Sequence, residues 1–88
     1  MGNPKTMSDE DLAALGTDLS RMLEAAVSAW EHGMKVLPIN SREYKAICSA
    51  GKKTQAAYIL IRDEAHDREW PCEKVDRVFS SKTGCGFG

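Results

Sequence analysis

The sequence predicts an all-α protein, a small helical bundle in which a long amphipathic helix pairs with a second long helix and a short third one. Three observations carry this. Apolar residues recur at helical spacing over most of the chain, capping residues stand where that periodicity starts, and no alternating apolar/polar stretch offers a sheet. The chain has 88 residues, 42% of them hydrophobic and 28% charged, so it can form one domain and little more.

Ser8 followed by Asp9, Glu10 and Asp11 opens the first helix. A hydroxyl suits the N-cap, and carboxylates suit a first turn whose free N–H groups carry partial positive charge. At 100° per residue, Leu12, Leu15, Leu19, Met22, Leu23, Ala26, Val27, Trp30 and Met34 share one stripe, opposite Asp18, Arg21, Glu24, Ser28, Glu31 and His32. The helix is expected from about Asp9 to about His32, with Gly33 as a left-handed C-cap and Pro38 forbidding continuation.

Asn40 or Ser41 can cap the second helix, with Glu43 completing a capping box with Asn40. Tyr44, Ile47, Cys48, Gly51, Gln55, Tyr58 and Ala65 keep helical spacing toward Trp70, either as one helix that tolerates Gly51 or as two helices broken there. Pro71 suits a first helical position, and Val75, Val78 and Phe79 at i, i+3 and i+4 predict a short third helix to about Ser80. The run Tyr58-Ile59-Leu60-Ile61 has β-forming residues but no flanking turn and no second strand to pair with. The expected organisation is a disordered leader over 1–7, one helical domain over 8–80 and a flexible tail over 81–88.

Charge is unevenly placed. Residues 1–34 hold six carboxylates against two basic side chains, net −4, whereas residues 35–62 hold six basic side chains against Glu43 alone, net +5. The whole chain is nearly neutral at −1, which excludes a histone-like coat and an acidic nucleic-acid mimic. No run approaches the roughly 20 apolar residues that cross a bilayer, and no secretory signal opens the chain, so a cytoplasmic protein without a membrane partner is expected. Cys48, Cys72 and Cys85 form no Cys-x-x-Cys pair and suggest neither a disulfide framework nor a zinc knuckle. Cys48, at an apolar helix position, reads as a small core residue.

Four consecutive large apolar residues on a helix cannot all face one neighbour, so Tyr58, Ile59, Leu60 and Ile61 ask for two. The first helix is one. The short third helix or a second chain supplies the other, and the second possibility makes Tyr58, Ile59, Leu60 and Ile61, with Trp30 as an aromatic anchor, a candidate protein-interaction seam. A competing reading takes Gly51 as the turn of a helix-turn-helix and Lys52, Lys53, Thr54 and Gln55 as the start of a DNA-recognition helix.

Chemistry is poorly supported. Gly51-Lys52-Lys53-Thr54 lacks the spacing of a phosphate loop, and Ala46 stands where its first glycine belongs. Asp63 and His66 share a face but have no matching ligand set on another helix, and His66, Cys72 and Cys85 fit no standard zinc spacing. No nucleophile elbow is present. The expectation is therefore a non-enzymatic regulatory protein without metal, cofactor or small-molecule substrate. It would act as a homodimer, as an adaptor, anti-activator or inhibitor that covers a partner's interaction surface, binding another protein, a second copy of itself or both, with DNA-binding transcription regulation as the alternative.

Overall fold

The computed structural model describes residues 4–79 and contains three α-helices: α1 (Asp9–Val36), α2 (Arg42–Asp67) and α3 (Cys72–Val78). Among the described residues there is no strand. The small all-α bundle of two long helices and one short helix is thus the observed architecture. Pro4–Thr6 form a turn of 3-10 helix, and Met7 packs against the core. The tail expected over 81–88 lies outside the described residues.

The start of α1 follows the sequence closely: Ser8 is its N-cap, and the Ser8 hydroxyl accepts from the Asp11 N–H at 3.1 Å. Its end does not. The helix passes through Gly33, which keeps negative φ, and stops at Leu37, whose N–H donates to the Gly33 carbonyl immediately before Pro38. Proline, not glycine, is the stop signal, because the residue before a proline is pushed out of the α region. Gly33 serves packing instead. It is buried, and a Cβ there would stand 3.3 Å from Ile47 Cδ1 and 3.7 Å from the Tyr44 ring, so its bare backbone lets α2 approach closely.

The turn into α2 closes with the Ser41 N–H donating to the Pro38 carbonyl. Ser41 is the N-cap and its hydroxyl accepts from the Tyr44 N–H; Asn40 stands outside the helix, so the Asn40/Glu43 capping box does not form. From Arg42 to Asp67 the helix is unbroken. Gly51 sits inside it, buried, with helical φ. Pro71 is the N-cap of α3 rather than its first helical residue, and the helix ends at Val78, with the Phe79 N–H donating to the Val75 carbonyl.

The core gathers Leu12, Leu19, Leu23 and Val27 of α1, Tyr58, Ile61 and Ala65 of α2, and Trp70, Val75, Val78 and Phe79 from α3 and its flanks. Leu12, Leu23 and Tyr58 are almost wholly enclosed, each burial contributing about 1.5–3 kcal/mol. Two members of the expected stripe on α1, Met22 and Met34, are instead largely exposed. Gly16 and Ser20 take the sheltered positions beside α3. A Cβ on Gly16 would lie 2.7 Å from the Phe79 ring and from Val78 Cγ1, so the end of α3 can rest there only on a glycine.

Two hydroxyls fix that end. Ser20 Oγ donates to the Val78 carbonyl and Tyr58 Oη to the Phe79 carbonyl, at 2.9 and 3.0 Å. These are carbonyls that a helix C-terminus leaves without an intrahelical donor. The Tyr58 and Phe79 rings also meet edge to face, with centroids 5.7 Å apart. Because α3 spans only about 10 Å and rests against Gly16 and Ser20, it cannot reach Met34, about 21 Å farther along α1. The molecule is three helices thick at one end and two at the other.

Candidate protein-interaction surface

The expected seam divides between interior and surface. Tyr58 is 1% exposed and Ile61 8%, both covered intramolecularly, so neither can anchor a partner. The second neighbour that the apolar run requires is α3. Leu60 is 66% exposed, and Ile59 is half-buried against the core. Trp30 is likewise half-buried, and its indole Nε1–H donates to the Tyr44 hydroxyl at 3.1 Å, a bond that joins α1 to α2 near the hairpin turn.

The helix-turn-helix arrangement is absent because α2 runs straight through Gly51. Lys52 and Lys53 are exposed, while Thr54 and Gln55 are half-buried. The Thr54 hydroxyl donates to the Ala50 carbonyl at 2.9 Å, the back-bonding habit of a threonine inside a helix. These four residues therefore stand in the middle of a helix, not at the exposed start of one, and do not project together as a recognition helix does.

What sequence reasoning missed is the surface at the hairpin end. A groove of about 510 Å³ is lined by Ile39 from the interhelical turn and by Tyr44, Lys45 and Cys48 from the first turns of α2. Ser49, Lys52 and Lys53 complete it. Cys48 is a half-buried wall of this groove, not a core residue. Ile39 is 72% exposed, and Met34 and Val36 at the end of α1 are exposed as well. Two signals in the sequence point here: the apolar connector Val36-Leu37-Pro38-Ile39, which has no reason to be apolar in a simple solvated turn, and the basic stretch that follows it.

The electrostatics of the groove are one-sided. No carboxylate lines it, and among the described residues Lys45, Lys52 and Lys53 form no ion pair. The ion pairs that do form lie at the opposite end of the hairpin, where Arg68 bridges Asp9 and Glu64 at 2.9 Å each. There the Arg68 guanidinium holds the Asp9 carboxyl below its usual range, and Glu64 and Asp9 together raise the Arg68 pKa.

Among the described residues no three His, Cys, Asp or Glu side chains gather as a metal site, and no helix is long and apolar enough to cross a membrane. His66 and Cys72 are exposed, and Cys85 lies outside the described residues. The chain matches no known protein family, no curated protein and no solved structure.

Proposed function

We propose that this protein is a non-enzymatic regulatory module that binds another protein through the hairpin-end groove. One observation carries the reading: an apolar floor of Ile39, Tyr44 and Cys48 lies open at the two-helix end and is rimmed by three lysines without a partner among the described residues. Exposed apolar surface beside unspent charge has the composition of an interface, with an apolar centre and a polar rim. An adaptor, anti-activator or inhibitor needs nothing more than such a surface on a folded support. Here the Trp30–Tyr44 hydrogen bond and the close approach at Gly33 join the two helices beneath it.

The experiment is affinity capture on the full chain, with and without nuclease, beside the Ile39→Asp variant. The expected outcome is a protein retained in stoichiometric amount after nuclease and lost with Ile39→Asp. Ile39 is exposed, so this substitution leaves the core intact, and circular dichroism checks that it does. Capture that disappears on nuclease treatment would move the three lysines to nucleic acid, and capture that survives Ile39→Asp would move the interface elsewhere.

A further inference from the structure

We infer that the groove takes an acidic amphipathic helix of another protein, an inference that rests on the protein-binding reading above and specifies its partner. Lys45 and Lys52 stand seven residues apart on α2, two turns and about 10 Å, with Cys48 between them. A helix laid alongside would present carboxylates at i and i+7 to these two ammonium groups. Its apolar side chains at i+3 and i+4 would enter between Ile39, Tyr44 and Cys48, the helix-in-groove mode of recognition. The volume of about 510 Å³ accommodates such side chains and is far more than an inorganic ion would fill. Lys53 extends the basic rim toward the middle of α2.

Charge complementarity argues for a foreign helix over the other occupants. The acidic helix of this chain is α1, but Leu12, Leu19, Leu23 and Val27 of its apolar stripe are already buried in its own core. On α1 only Met22 and Met34 are large exposed hydrophobics before its final residue, and on α2 a second copy offers the single exposed Leu60 beside Asp63 and Asp67, not the adjacent pair of apolar side chains that a dedicated partner helix presents. Residues 80–88 hold one lysine and no carboxylate, so they do not complement the rim either. A nucleic-acid backbone would satisfy the lysines yet leave Ile39 and the neighbouring apolar wall against water.

The test is a nuclear magnetic resonance titration of the isotope-labelled full chain with a synthetic helical peptide of about sixteen residues, carrying Glu at i and i+7 and Leu at i+3 and i+4. Counter-probes are the same peptide with Glu→Gln, the same peptide with Leu→Ala, a short DNA duplex and phosphatidylserine vesicles. Expected are amide shifts confined to residues 39–53, with affinity falling roughly tenfold or more for each altered peptide and for the Lys45→Glu/Lys52→Glu chain, while Leu60→Asp binds as the parent does. The inference is overturned by equal binding of the Glu→Gln peptide, by no shift up to about 1 mM peptide, or by shifts elsewhere on the molecule. Tighter binding of duplex or vesicles at the same residues also overturns it, as does self-association that fills the groove and disappears with Lys45→Glu. Should the peptide fail while nuclease-resistant capture remains in Lys45→Glu/Lys52→Glu, the acidic-helix inference falls and the protein-binding reading stands; loss of capture by the unaltered chain removes both.

Discussion

Ser20 and Tyr58 each place a hydroxyl on a carbonyl at the end of α3, and Gly16 leaves the space that lets this end sit down. Ser20→Ala would strip the Val78 carbonyl of its donor inside a buried site and is expected to cost about 1–3 kcal/mol. Tyr58→Phe removes the corresponding bond to Phe79 and is expected to cost a similar amount; chemical denaturation of both variants checks this. Gly16→Ala is expected to be destabilising by about 1–3 kcal/mol through overpacking, because its Cβ meets a ring and a branched side chain rather than the free end of a flexible one. A melt at or above the parent's would refute that account. Apolar periodicity alone passes over Gly16 and Ser20, although both fall on the buried side of α1. A small residue in an apolar stripe signals close approach of another element, and this signal was available in the sequence. Which element approaches was not, since Tyr58 is equally suited to an interface and to an internal carbonyl.

At the scale of elements, α2 ends in an arrangement that usually requires glycine. Glu69 has φ of 58°, its N–H donates to the His66 carbonyl, and the Trp70 N–H donates to the Ala65 carbonyl, the two bonds of a Schellman motif. A side chain in the left-handed region costs about 1–2 kcal/mol, so Glu69→Gly is expected to stabilise by up to about 1 kcal/mol after the added unfolded-state entropy. The melting temperature should rise by roughly 4–8 °C per kcal/mol gained. Helix starts were legible because Ser8 and Ser41 carry their own chemistry. Helix interiors and ends were less so. Gly33 and Gly51 have the same appearance as cap or turn glycines, yet both serve inside helices, and only the neighbour packed against Gly33 reveals why it is glycine. The groove was legible only in its ingredients, the apolar connector and the basic stretch: Ile39 and Cys48 belong to different segments, and the hairpin turn must be built before they face a common space.

For the whole molecule, the chain ends of the two long helices are held together by Arg68, Asp9 and Glu64, with Lys74 set 4.1 Å from the centroid of the Trp70 ring beside them. Asp9 has a lowered pKa, first through its hydrogen bond with Arg68, so the stability this pairing contributes is present above the ordinary carboxylate range and is lost as pH falls through the lowered value. Arg68 stays charged throughout. Thermal melts of the parent and of Asp9→Asn, followed from neutral pH to about pH 2, should therefore converge at the acid end, with the parent the more stable at neutrality. The effect is expected to be modest because the Asp9 side chain is mostly in water.

The unequal thickness of the bundle also sets an order of events in opening. Amides of Tyr44 to Lys53 and of the last turns of α1 have two-helix cover at most, whereas those near Leu12, Ala65 and Val75 lie in the three-helix part, so hydrogen exchange should run fastest from the hairpin turn inward. The end that offers the groove is then the end that breathes. A partner seated there would slow exchange in the very segment that exchanges first, and occupancy could be read from the amide clock alone without labelling the partner.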